Sequence, residues 1–116
     1  MPKSPEVFLL HMVDEVRYLR SLNHIRDGSS LNSEPTVSRA VIRSLEVIGE
    51  AASNIDEEYR SQHPEVPWRR IVALRNRLIH GYMGINYNIV VNVLHNEIPE
   101  LERLLVPLVP SHPASQ

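Results

Sequence analysis

Four prolines, Pro5, Pro35, Pro67 and Pro99, each stand at or near the head of a run whose apolar residues recur every three or four positions. Proline is tolerated in the first turn of an α-helix, where its missing N–H would have no partner, and it interrupts a helix interior or a sheet. No segment of useful length alternates apolar with polar residues at the two-residue spacing of a strand. The chain is therefore expected to be all-α, an up-down bundle of four or five helices.

The first predicted helix opens at Ser4-Pro5. It carries Phe8, Met12, Leu19 and Leu22 on one stripe, widened by Leu9, Val13 and Val16, and stops near the turn cluster Asp27-Gly28-Ser29-Ser30. The second starts at Pro35-Thr36 and places Val37, Val41, Leu45, Ile48, Ala52 and Ile55 together; about 23 residues make it roughly 35 Å long. Gly49 at its middle costs about 1 kcal/mol in a helix. Close approach of another helix is the expected reason for it, and with Ala51 and Ala52 that approach is assigned to a homodimer contact.

A rigid connector, His63-Pro64-Glu65-Val66-Pro67-Trp68, leads to a third helix. Pro67 suits its first position, Ile71, Leu74 and Leu78 face inward, and Gly81 is placed to end it. The fourth carries Ile89, Val90, Val93 and Leu94, must kink or restart at Pro99, and continues through Leu101, Leu104, Leu105 and Leu108. At 116 residues one domain is expected, residues 1–108, with a disordered tail at 109–116.

Composition excludes several chemistries. Cysteine is absent, which removes disulfides, thiolate catalysis and Cys-ligated metal sites. No stretch approaches the roughly 20 apolar residues of a membrane span, and Met1-Pro2-Lys3-Ser4-Pro5 lacks the apolar core of a signal peptide, so the cytoplasm is the expected compartment. A net charge of −2 argues against a sequence-independent nucleic-acid coat, and the aromatics are too scattered for a base-stacking platform.

The charge is nevertheless uneven. Arg60, Arg69, Arg70, Arg75 and Arg77 fall in one stretch with Glu65 as its lone acid, whereas Glu46, Glu50, Asp56, Glu57 and Glu58 fall in another without a base. Lys3 is the one lysine among twelve Lys and Arg residues. Arginine favours planar contacts to phosphate or carboxylate, although codon composition explains the bias equally well. Phosphate-binding Gly loops, HExxH, GxSxG and inward carboxylates at Glu-x-x-His spacing are all missing, and the histidines outside the motif below are scattered; no metal and no cofactor are expected.

What remains is Arg75-Asn76-Arg77-Leu78-Ile79-His80-Gly81-Tyr82. On a continuous helix Asn76 and His80, four apart, share a face, so Asn76 could orient the imidazole. By spacing alone, a surface arginine followed by a helix-end histidine accounts for the same residues. The segment resembles the R-x4-H-x-Y motif of HepT-like toxins in the HEPN (higher eukaryotes and prokaryotes nucleotide-binding) superfamily. The stretch from Ser44 to Ala52 resembles that family's second-helix signature, His63 to Arg69 its connector, and Ile98-Pro99-Glu100-Leu101 its C-terminal helix. The resemblance spans about residues 6 to 108. The chain departs from it by lacking an acid near Asn86 and an aromatic in the fourth helix.

The resemblance implies a HEPN-like bundle assembled as a two-fold homodimer. It implies a metal-independent endoribonuclease toxin of a bacterial toxin–antitoxin pair, with two R-x4-H motifs facing one cleft. Arg75 would bind the scissile phosphate of the RNA substrate, His80 would transfer protons, and Asn76 would orient His80. Arg69, Arg70 and Arg77 are candidates for guiding RNA, and equally are solvated helix-face charges. The implied partner is a MntA-type nucleotidyltransferase antitoxin that transfers AMP to Tyr82. A non-catalytic helical module binding a nucleotide or a partner through the same groove is the alternative.

Overall fold

In the computed structural model, which describes residues 4–79 and 84–110, the prolines mark helix starts as expected. Pro5 opens α1 (Pro5–Arg20) and Pro35 opens α3 (Pro35–Ser53). Pro67 lies one position further out than expected, capping α5 (Trp68–Val72). Four rods account for the predicted bundle: α1, α3, the pair α5 and α6 (Leu74–Leu78), and the run from α7 (Tyr87–Asn92) through a π-turn (Val93–Glu97) to α8 (Ile98–Leu105). A 3-10 turn (Val106–Leu108) follows, and Val109 still packs on the core. The remainder of the expected tail, residues 111–116, lies outside the described residues.

The central rod is α3, packed against α1 on one side and against α5 and α6 on the other; α8 lies along α1. Leu9, Met12 and Val16 of α1, Val41, Leu45 and Ile48 of α3, and Ile71, Leu74, Val90, Ile98 and Leu101 belong to one core, all buried. Burying such side chains at about 1.5–3 kcal/mol each is what holds short helices together.

Two short helices were not expected. The cluster read as a turn is instead the start of α2 (Gly28–Asn32). Asp27 Oδ1 accepts from the Ser30 N–H at 2.8 Å, and Ser30 Oγ accepts from the Asp27 N–H at 3.2 Å. This is a reciprocal capping box, built from the same residue types that make turns. The second helix runs 19 residues, not about 23. Ser53 Oγ and Asn54 Nδ2 both donate to the Glu50 carbonyl, at 2.7 and 2.9 Å, which closes it. Asp56 then caps α4 (Glu57–Gln62), accepting from the Tyr59 N–H at 2.8 Å. Arg60 of α4 donates to the Ala52 carbonyl at 2.8 Å, placing a cation at the negative end of α3.

Gly49 does serve a close approach, within one protomer. A Cβ there would sit 3.0 Å from the Ile71 carbonyl oxygen and 3.7 Å from that of Val72. The third rod breaks beside this crossing, at Ala73, between α5 and α6. Ala51 and Ala52 are buried in the same core. The small-residue stripe is thus consumed by the fold and gives no argument for a dimer.

Pro99 restarts its helix as expected, at the second position of α8, and the π-turn precedes it. Having no N–H, Pro99 leaves the preceding turn short of one hydrogen bond; the Ile98 N–H reaches back five residues to the Val93 carbonyl.

Candidate active site

The motif begins on α6, a five-residue helix. Its end differs from the sequence expectation: helical structure stops at Leu78, three residues before Gly81, and Ile79 is extended (φ −104°, ψ 123°). Ile79 forms an antiparallel bridge with Ile85, and the Asn86 N–H donates to the Leu78 carbonyl at 3.0 Å. Gly84, at φ +86°, supplies the left-handed residue that lets the chain return to this bridge. His80, Gly81, Tyr82 and Met83 lie outside the described residues. In sequence they lie between Ile79 and Gly84. Because Ile79 leaves the helix, the helical i, i+4 argument for Asn76 orienting His80 no longer holds. Asn76 is exposed on the last turn of α6.

The arginine stretch is not one cationic patch. Arg75 projects from α6 with 73% of its side chain exposed, its Nε 3.7 Å from Glu46 Oε2 of α3. An exposed pair at that distance is worth about 0–1 kcal/mol, so the guanidinium stays available to an incoming anion. Arg69 is exposed and makes no ion pair with a described residue. Arg70 and Arg77, seven apart and so on one face despite the break at Ala73, converge on Glu97 of the π-turn. Arg70 donates from Nε and Nη2 at 3.3 and 3.0 Å, and Arg77 from Nη1 at 3.0 Å with Nη2 closer still. Arg77 and Glu97 are both largely covered. Arg70 and Arg77 thus have a structural partner, while Arg69 and Arg75 face outward.

Burial alone would raise the Glu97 carboxyl, but hydrogen bonds and charge from Arg77 and Arg70 outweigh it and hold the group below the ordinary glutamate range. Folded Glu97 therefore binds protons less readily than unfolded Glu97. Its stabilisation is present at neutral pH and is lost as pH falls through and below about 4. Glu97→Gln is expected to destabilise the fold by about 1–3 kcal/mol at neutral pH, since the covered Arg77 loses its counter-charge. Denaturant melts at pH 7 and pH 3 should show the gap between wild type and variant shrinking at the lower pH. A gap that is constant or grows would exclude this account.

Three of the four described histidines have polar partners, and the fourth, His11, is exposed and lies edge-on to the Phe8 ring. His24 meets Glu34 at 3.3 Å, His63 meets Glu65 at 3.5 Å, and His95 Nε2 donates to the Ile25 carbonyl at 2.7 Å. Among the described residues no three His, Asp or Glu side chains are grouped to hold a metal ion, and no described helix is long and apolar enough to cross a membrane. Two residues of the site had no local signal in the sequence. Glu46 and Glu97 lie 29 and 20 positions from the arginines they meet, Arg75 and Arg77.

The model of a family described as ribonuclease HepT-like matches residues 12–108. The chain is 40% identical over 101 residues to a protein of Caldanaerobacter subterraneus subsp. tengcongensis, covering 87% of this chain and 90% of that one. It is 36% identical over 110 residues to a protein of Methanocaldococcus jannaschii, covering 90% and 91%. Both carry provisional RNase names. A protein of Thermococcus cleftensis, provisionally named ribonuclease HepT, is 43% identical over 63 residues, covering 54% of this chain and 57% of that one. No solved structure matches the chain.

Proposed function

Because the chain belongs to the ribonuclease HepT-like family, we propose that this ribonuclease is the toxin of a toxin–antitoxin pair, cutting RNA without a metal ion at a cleft completed by a second copy of the chain. The observation that carries the reading is Arg75, an exposed and weakly paired guanidinium on the short helix that precedes His80 and Tyr82 in sequence.

The chemistry follows from what RNA supplies. The ribose 2′-hydroxyl can attack the adjacent phosphorus if a base takes its proton, an acid protonates the departing 5′-oxygen, and a cation holds the charge on the phosphorane. Arg75 holds the phosphate through its planar fork. His80 transfers the protons, imidazole being the side chain suited to giving and taking a proton near neutral pH. A single motif histidine cannot act as base and acid at once, whereas two protomers about a two-fold axis bring two histidines and two arginines to one phosphate. Arg69, exposed on α5, is suited to guide the strand. The inhibitory partner is a MntA-type nucleotidyltransferase, acting at Tyr82.

The experiment uses purified protein free of that partner, with end-labelled RNA in EDTA. Cleavage is expected to persist and to leave a 2′,3′-cyclic phosphate and a 5′-hydroxyl. Light scattering at micromolar concentration is expected to give twice 13.3 kDa. Loss of cleavage in EDTA would overturn the metal-free reaction, and a monomer that cuts RNA would overturn the shared cleft. RNA bound and never cut, by a protein with its fold intact, would favour the non-catalytic binding module.

A further inference from the structure

A second surface beside the motif loop is unlike the arginine face. Helix α2 packs against α7, and between α2 and residues 84–88 lies an open cleft of about 600 Å³. One wall begins at Gly84 and Ile85, where the chain returns to the bridge with Ile79. The cleft therefore adjoins the Ile79–Ile85 bridge, whose residues flank His80 and Tyr82 in sequence. None of its described lining residues is charged; the polar ones are Ser29, Asn32, Asn86 and Asn88, with Tyr87 beside them.

We infer that this cleft is a nucleobase subsite, shaped for adenine, that selects where the RNA is cut. The inference rests on the ribonuclease reading for the nature of the ligand. A cleft without a cation is a poor phosphate site. Phosphate binding belongs instead to Arg75, one helical turn before Ile79, which leaves the neighbouring base to be held here. Single-stranded RNA is read through splayed bases, by stacking and by hydrogen bonds to their edges. A carboxamide presents a donor and an acceptor side by side, the complement of the adenine edge.

Two such groups stand ready. Neither Asn32 nor Asn88 makes a side-chain hydrogen bond to a described residue, and both are exposed, whereas Asn86 Oδ1 already accepts from the Ile89 N–H at 3.1 Å to cap α7. The half-buried Tyr87 adds an aromatic surface. Gly28 fits the same design. A Cβ on it would fall 2.2 Å from Asn88 Oδ1 and 3.0 Å from the Asn88 backbone nitrogen, so only glycine leaves the Asn88 amide in its present place.

The test measures binding of uncleavable 2′-O-methyl tetranucleotides of A, C, G and U to the intact protein, alongside mapping of cleavage sites on a mixed-sequence RNA. Wild type is expected to bind the A oligomer on the order of tenfold more tightly than the others and to cut beside A. Asn32→Ala/Asn88→Ala should level that preference while retaining binding to C and U. The isosteric Asn88→Asp, which loses the donor, should weaken A binding and preserve the fold. Gly28→Ala should weaken it by displacing Asn88. Base preference unchanged in the Asn variants, or absent from wild type, would overturn the subsite while leaving the ribonuclease reading intact. Wild type that neither binds nor cuts RNA would overturn both.

Discussion

His80→Ala is expected to slow RNA cleavage by about 10²–10⁴-fold, the usual worth of a positioned general acid or base. Arg75→Ala is expected to cost on the order of 10²-fold or more, since it removes the charge proposed to meet the phosphorane. The Arg75→Ala loss should not come from unfolding. Arg75 is 73% exposed and its pair with Glu46 is long, so truncation leaves no buried group without a partner. Arg75→Lys should recover part of the rate, retaining charge and losing the two-pronged geometry. The wild-type pH–rate profile should be bell-shaped, because one histidine must be neutral and the other protonated. Single-turnover cleavage with circular dichroism on each variant decides the matter. A folded His80→Ala protein cutting at the wild-type rate would remove this assignment.

The second large effect concerns Tyr82, two residues past His80 in sequence. A cognate nucleotidyltransferase supplied with ATP and Mg²⁺ is expected to add one or more AMP units there and abolish cleavage. The phenolic oxygen attacks the α-phosphorus of ATP, the bond to the β-phosphate breaks, and pyrophosphate leaves with the phenol proton released to solvent. Each AMP introduces a negative phosphate and a base seven residues past Arg75 in sequence. That phosphate can occupy Arg75 in place of substrate, so charge and volume both oppose RNA. Intact-mass spectrometry after co-expression should show the adduct on wild type and not on Tyr82→Phe. An adduct that persists in Tyr82→Phe would refute the position, and modified protein still cutting RNA would refute the inhibition.

The fold class and the rod order were legible from proline positions and apolar stripes, because both act locally. Pro5 and Pro35 open helices where their lost N–H costs nothing, and Leu9, Met12, Val16, Val41, Leu45 and Ile48 are buried as their spacing requires. The run from Arg75 to Tyr82 was legible as a motif, since its content is residue type at fixed separation. Three features were decided only in three dimensions. The third rod breaks at Ala73 where its backbone crosses Gly49, and it ends at Leu78 because Ile79 pairs with Ile85 across the loop. Helical spacing could foresee neither event, since each depends on a segment outside the helix. Arg70 and Arg77 share Glu97 as counter-charge, on a π-turn that Pro99 follows, so a basic run in sequence resolves into a partly covered ion-pair cluster and an outward Arg69 and Arg75. Asn32 and Asn88 lie far apart along the chain, and packing of α2 on α7 makes them neighbours of one cleft. Local propensity set the helices; long-range packing determined which polar side chains remained free to meet a ligand.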